Sequence, residues 1–320
     1  DAWRAERTAT AGDLAAADVG ADEWNFVVGP GAELYRKLAQ MPMTLKHLAD
    51  RMAQGIRTSA NEVYVLDLVL EDGDLITAYS KQLDRNVVLE RESVLLFLQG
   101  REIKPYEVIP SGKVVIMPYR VIDDRAILIQ WQELREAFPK TCDYLVANKK
   151  YLEQREKGKF RDSEWYRYGR NQNIDLMLLS KILVPDIANR ASFALDEQGD
   201  YAFTSGYGIT LKPETRESIK YVLGLLNSCV LDFYLKSIST TLRGGYFRYF
   251  TQYMSPLPIR TIDFADPADI ARHDRMVALV ERMLALHRDL AAANTPQSKR
   301  LLQQQIALTD GAIDALVYEL

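Results

Sequence analysis

The apolar pattern of this sequence changes period once, near Glu214, and that switch limits the fold more than any other feature. Upstream, short runs alternate apolar and polar side chains between turn residues, which is the pattern of half-buried strands. "NEVYVLDLVLEDGDLITAYS" (61–80) predicts two strands joined at Asp72–Gly73, and "KVVIMPYRV" and "RAILIQWQEL" repeat the pattern over 113–134. "KILVPDIA", "ASFALD" and "YAFTSGYGITLK" predict three more strands with glycine turns between 181 and 212. Short helices are expected at "AELYRKLAQ" and "TLKHLADRM", and a charged helical stretch over 134–160. Downstream of Glu214, Ile219, Val222, Leu223, Leu226, Val230 and Phe233 recur at helical spacing. Two longer helices follow. One, over 267–293, repeats Val277, Val280, Leu284 and Leu290; the other, over 297–318, repeats Leu302, Ile306, Ile313 and Val317. Thr295 and Pro296 between them suit an N-cap and a first helical position. At 1.5 Å per residue each helix is about 30–40 Å long, the proportions of a spacer arm. The fold class expected is α+β: a body of mixed β-sheet with packed helices, then an antiparallel helical hairpin.

Residues 1 to about 30 are rich in Ala and Asp and end in "VVGPG", which predicts a linker. They carry no signal-peptide order and no starting Met, so the sequence is expected to be a piece of a longer polypeptide. The longest apolar run, "LMLLSKILV" at 176–184, is interrupted by a charge and is too short to span a membrane, so no membrane partner is expected. Two cysteines and three scattered histidines give neither metal-ligand spacing nor a disulfide framework, which fits a reducing cytoplasm.

Catalytic signatures are absent. There is no Gly-rich phosphate loop, dinucleotide fingerprint, nucleophile elbow or H-E-x-x-H. The chain contains no Pro-Pro, and so lacks the Asn/Asp-Pro-Pro-aromatic tetrapeptide with which amino-methyltransferases hold a flipped base. "REIK" (101–104) and Pro185–Asp186 are fragments of a metal-dependent nuclease motif in the wrong order. This chain alone is therefore not expected to be an enzyme.

Net charge is −4, from 40 Lys and Arg against 44 Asp and Glu, yet the cations are not evenly spread. From Phe233 to Ile262 the only charges are Lys236, Arg243, Arg248 and Arg260. Within that window "TTLRGGYFRYFTQY" holds Arg243, Tyr246 and Arg248 around Gly244–Gly245. Either its rings pack into a core strand with the arginines in solvent, or the segment is a loop laid against nucleic acid. "WYRYGRNQN" (165–173) presents Arg167, Arg170, Asn171 and Gln172, and "QGIRTSANEVYV" (54–65) presents Arg57 and Asn61 at the mouth of a strand. Arg, Asn and Gln are the side chains that make paired hydrogen bonds to base edges, and Arg and Lys hold phosphates. A polar surface loop is the competing explanation for each.

In order along the chain, "QGIRTSANEVYVL", "LLFLQGREIKPYEV", "WYRYGRNQN", "KILVPDIA" with "GYGITL", "YVLGLLNSCVLDFYL", "TTLRGGYFRYFTQYMSPLPI" and "IDALVYEL" resemble one family. They look like the TaqI-like C-terminal specificity domain of adenine-N6 DNA methyltransferases, also found in type IIG restriction enzymes of bacteria. The resemblance spans roughly residues 34–320, and "LNS" with "PLPI" also resembles type I specificity subunits. It implies a linker or tail of a preceding catalytic domain over 1–33, a DNA target-recognition domain over 34–262 and a helical spacer over 263–320. It implies double-stranded DNA and a catalytic methyltransferase domain of the same polypeptide as partners. S-adenosylmethionine would belong to that catalytic domain, with no cofactor in this chain. DNA-contacting candidates are then Arg57, Asn61, Lys104, Arg167, Arg170, Asn171, Gln172, Arg243, Tyr246 and Arg248. A protein-interaction or assembly module without direct DNA reading is the alternative.

Overall fold

The computed structural model describes residues 31–123 and 125–320; the linker expected over 1 to about 30 lies outside the described residues. These residues form two compact units. One comprises residues 31–49, Ala188–Ala191 and Glu214–Leu320; the other comprises Asp50–Ile187 and Ser192–Pro213. They are called here the helical and the sheet unit.

Helix α1 (Ala32–Ala39) and the single turn α2 (Leu45–Leu48) precede strand β1 (Ala49–Gln54). The sequence predicts a helix through Met52. It stops at Leu48 because the following residues join a sheet, and tertiary pairing overrides a weak helical preference.

In the sheet unit, α3 (Asn61–Tyr64) leads into β2 (Val65–Asp72), β3 (Leu75–Ser80), β4 (Arg85–Glu90) and β5 (Val94–Gln99). The β2–β3 turn falls at Gly73, whose φ of +59° suits glycine. A small hairpin of β6 (Ile103–Lys104) and β7 (Glu107–Val108) follows, then β8 (Lys113–Ile116), β9 (Tyr119–Ile122) and β10 (Arg125–Leu128). The charged stretch folds as three helices, α4 (Trp131–Ala137), α5 (Pro139–Ala147) and α6 (Lys149–Gly158). Strands β11 (Lys181–Pro185), β12 (Ala194–Asp196), β13 (Tyr201–Thr204) and β14 (Gly206–Leu211) complete the unit.

Six strands form one sheet in the order β13-β5-β8-β2-β3-β4, antiparallel throughout except for β13 beside β5. Its centre is dry: Leu66, Phe97, Val114, Val115 and Ile116 are almost wholly buried, the condition under which apolar area stabilises at about 25 cal/mol per Å². A second sheet runs β1-β14-β11-β12. "YAFTSGYGITL" serves both sheets, because Ser205 takes a left-handed φ of +56° and turns the chain from β13 into β14.

The helical unit contains α7 (Ile219–Asn227) and α8 (Cys229–Ile238), the hairpin β15 (Thr241–Leu242) and β16 (Tyr246–Arg248), the turn α9 (Thr251–Met254), and the long helices α10 (Pro267–Ala292) and α11 (Pro296–Glu319). The helical run after Glu214 is not one rod. It bends by 65° at Ser228, whose hydroxyl donates to the Leu225 carbonyl and accepts from the Leu231 N–H. Thr295 caps α11 as expected, its side chain accepting from Ser298 N–H. Helices α10 and α11 form the expected antiparallel hairpin, but its seam is rotated from the predicted stripe. Met276, Val280, Met283 and Leu286 of α10 and Thr309, Ile313 and Leu316 of α11 are buried, whereas Val277, Leu284, Leu290, Leu302, Ile306 and Val317 are only half-buried. The rotation follows from a second packing partner: a Cβ on Gly224 of α7 would lie 2.6 Å from Met276 Sδ and 3.0 Å from Val280 Cγ2, so α10 lies hard against α7. No single helix among the described residues is long and apolar enough to cross a membrane.

Candidate nucleic-acid interface

In the sheet unit the segments 54–61 and 165–173 are brought together. Gly55 lets the chain leave β1 against β13, since a Cβ there would lie 2.0 Å from the Phe203 carbonyl oxygen. Ile56 N–H donates to that same carbonyl at 3.0 Å. Ser59 then turns with φ +57°, and Thr58 Oγ1 donates to Asn61 Oδ1 at 2.6 Å, fixing how Asn61 is presented.

The second segment is held by its rings. In "WYRYGR", Trp165, Tyr166 and Tyr168 are buried, and their hydroxyls and backbone are tied down: Tyr166 OH donates to Ile129 O at 2.7 Å, and Tyr168 N–H donates to Tyr119 OH at 2.7 Å. Tyr64 OH donates to Tyr166 O at 2.6 Å. Burial raises the pKa of Tyr64, Tyr119 (to about 12) and Tyr166 (to about 12), so these phenols stay neutral donors at any ordinary pH. The two segments meet through Gly169 N–H to Thr58 O at 2.9 Å and Arg170 N–H to Arg57 O at 3.1 Å.

That pairing sets Arg57, Asn61, Arg170, Asn171 and Gln172 on one exposed pair of loops. Arg57 Nη2 donates to Gln54 Oε1 at 2.6 Å, and Arg170 Nη1 donates to Glu156 Oε1 at 3.1 Å. Asn171 and Gln172 make no side-chain hydrogen bond among the described residues. Arg167 is half-buried and engaged: it is paired with Asp162 at 2.6 Å, donates to Glu164 O and lies 4.6 Å from the Phe160 ring centre. Its hydrogen bond holds the Asp162 carboxyl below the usual carboxylate range. Lys104 lies apart on the β6–β7 hairpin, exposed and opposite Glu107.

The helical unit carries the other candidates. Leu242 and Tyr246 pair across a loop of Arg243, Gly244 and Gly245, with φ of +88° and +76° at the two glycines. Arg243 and Tyr246 are exposed. Burial then rises along the chain: Arg248, which ends β16, is half-buried beside the Phe250 ring at 5.0 Å, and Tyr249 just after it is buried. The ring of Tyr249 thus packs inside, while Arg243 and Tyr246 stand in solvent.

Two further groups bear on these loops: Asp186, set aside in the sequence as a motif fragment, and Arg155, not singled out there. Asp186, which follows β11, has one carboxylate oxygen buried without a hydrogen bond; burial pushes its pKa up, and the Arg57 charge opposes the shift. Arg155, one cation in a charged helical run, is buried and central to both loops. The only sequence signal for it is the helix-breaking Gly158 three residues on.

The sequence model of the family described as the TaqI-like C-terminal specificity domain matches residues 95–259. The chain belongs to that family. The specificity-domain match includes the 165–173 loop and the β15–β16 hairpin. The 54–61 loop and the helices α10 and α11 lie outside it. The type II restriction enzyme and methyltransferase RM.Eco57I of Escherichia coli is 28% identical, over 70% of this chain and 24% of its own length. The type II methyltransferase M.BstVI of Geobacillus stearothermophilus is 25% identical over 72% of this chain and 36% of its own length. The type II methyltransferase M.PaeR7I of Pseudomonas aeruginosa is 24% identical over 84% of this chain and 42% of its own length. This specificity domain thus spans between about a quarter and two fifths of such relatives.

Proposed function

We propose that this chain is the DNA sequence-recognition module of a restriction–modification adenine-N6 methyltransferase, holding a separate catalytic domain on its target site. Family membership carries the reading, and the apposed loops with Arg57, Asn61, Arg170, Asn171 and Gln172 give it a surface of suitable chemistry. In this reading phosphate contacts fix the register of the duplex, and Arg, Asn and Gln read base edges. The target-recognition body is 34–262 and the spacer 263–320. The catalytic domain, its S-adenosylmethionine and any nuclease activity belong to other parts of the polypeptide, which would work on DNA in a bacterial cytoplasm. This chain alone neither methylates nor cuts.

An assembly role is favoured by one observation, the outer face of α11, where Leu301, Leu308 and Tyr318 are 56%, 74% and 64% exposed. Titration of random-sequence duplex DNA at several salt concentrations separates the two. DNA recognition requires affinity to fall steeply with salt, with a log–log slope of about −0.9 per phosphate neutralised. Salt-independent or undetectable binding refutes it.

A further inference from the structure

We propose that Arg155 is the positioning residue of this surface, its buried guanidinium fixing the backbone of both loops and thereby setting base discrimination. The inference rests on the DNA-recognition reading above.

Arg155 is only 7% exposed, and it has no carboxylate partner within salt-bridge distance among the described residues. Its donors go to main-chain carbonyls. Nε donates to Leu152 O at 2.8 Å and Nη1 to Thr58 O at 3.0 Å. Nη2 donates to Trp165 O at 2.7 Å and to Arg167 O at 2.9 Å. One face of the guanidinium lies 4.0 Å from the centre of the Phe160 ring, and the Tyr64 ring lies at 5.8 Å. Thr58 belongs to the loop of Arg57 and Asn61; Trp165 and Arg167 belong to the loop of Arg170, Asn171 and Gln172. One side chain therefore spans both loops.

Burying a charge without a counter-ion is unfavourable, and an apolar residue would serve simple packing better. What the guanidinium supplies is geometry: a rigid planar fork whose N–H directions fix four carbonyls of three separate segments at once. The backbone is bent to place it there. Arg155 leaves the helical region (φ −55°, ψ 147°), and Glu156, Lys157 and Gly158 follow at φ +45°, +63° and +85°. Consecutive left-handed residues other than glycine are strained, and persist only where their surroundings impose them. The same turn puts Glu156 against Arg170 at 3.1 Å.

The test uses the 320-residue chain, a duplex pool with a randomised centre read by selection and sequencing, and backbone amide exchange. Arg155→Met is expected to expose the Gly169 and Arg170 amides to exchange while the amides of β8 stay protected. Discrimination should fall about tenfold or more at each base pair read by these loops. Arg155→Lys, which keeps the charge but not the fork, should lose discrimination too, and carries the test if the methionine variant does not fold. Val115→Ala, a core variant outside the fork's hydrogen bonds, serves as control and should melt earlier with selectivity intact. Wild-type selectivity and protection in both Arg155 variants would overturn the proposal, as would an equal loss of selectivity in Val115→Ala. A wild-type chain that enriches no sequence refutes the DNA reading itself. The exchange measurement still judges the loop-fixing role separately: protected Gly169 and Arg170 amides in Arg155→Met would end it.

Discussion

Replacing Gly169 with Ala puts the apposition of the two loops to a direct test. The backbone there is not left-handed, so alanine meets no torsional objection, and the cost is contact alone. A Cβ at 169 would lie 1.8 Å from Ser59 Oγ and 2.4 Å from Ser59 Cβ. Rotating the serine hydroxyl relieves the first contact but not the second. Carbon atoms prefer about 3.5–4.0 Å, so the loops must part by about 1 Å or more. That lengthens Gly169 N–H to Thr58 O and Arg170 N–H to Arg57 O, now 2.9 and 3.1 Å, out of bonding range. Overpacking of about 1–3 kcal/mol plus about 0.5–1.5 for each of the two bonds predicts a loss of roughly 2–6 kcal/mol. Urea denaturation measures it as a shift in midpoint at constant slope. Ser59→Gly removes both offending atoms at a residue whose φ of +57° already favours glycine. Alone it should be nearly neutral; combined with Gly169→Ala it should restore most of the loss, a coupling above about 1 kcal/mol. A variant that unfolds at the parent midpoint, or a double mutant no better than the sum, refutes this reading of the loops.

Three more outcomes are expected. Val280→Asp places a charge where α10 meets α7 and should cost about 3 kcal/mol or more, by thermal or urea melting; a melt like the parent's would mean the hairpin is not rooted there. Asp269 accepts from Asp263 N–H at 2.7 Å and pairs with Arg260 at 2.9 Å, which holds its pKa below 3.8. Because the folded value is the lower one, its contribution is present above 3.8 and lost as pH falls through the folded value; Asp269→Asn should weaken the neutral protein and flatten that acid limb in pH-dependent urea melts. Arg243→Ala should relax preference at one base pair by about 1–3 kcal/mol, and Arg248→Ala should weaken all duplexes alike and reduce the salt slope by about one, in titrations across a duplex panel; unchanged binding in both removes this hairpin from the interface.

The α+β class, the strands β2, β3, β8 and β11 and the capped hairpin were legible because each is written in local pattern: alternation, a fully apolar run, or Thr-Pro ahead of a helical stripe. What was not legible depends on partners far along the chain. Nothing in "LADRMAQ" says that a sheet edge waits for it, and nothing in "LLNSCV" says that one serine caps the next helix at a bend. The buried seam of α10 and α11 was misplaced for a similar reason: a stripe chosen for one neighbour is rotated when a glycine on α7 admits a second. The polar candidates were found by residue type, which is the level at which base recognition is chemical. Arg155 was missed because a cation inside a charged helical run looks solvated, and only the fold shows that four carbonyls surround it.

How an acidic chain could read an anionic polymer turns on which cations are already engaged. Charges interact over a Debye length of about 8 Å at physiological salt, so the local arrangement outweighs the total. Arg155, Arg167 and Arg51 are committed to carbonyls, Asp162 and Asp175 within the sheet unit. Arg170 is more open: its Nη1 donates to Gly169 O at 2.8 Å and to Glu156 at 3.1 Å, its side chain is 54% exposed, and Lys159 approaches the same carboxylate at 3.8 Å. An exposed pair of this kind is worth about 0.2–1 kcal/mol, little enough for a phosphate to displace Glu156. If Arg170 meets a phosphate, Glu156 is its competitor and lowers affinity for any duplex. Glu156→Gln should therefore tighten binding to random-sequence duplexes by about 1.5- to 5-fold, the same energy expressed as a ratio. The gain should shrink as salt rises. Weaker binding of Glu156→Gln, or a gain that salt does not diminish, would show that Arg170 faces no phosphate.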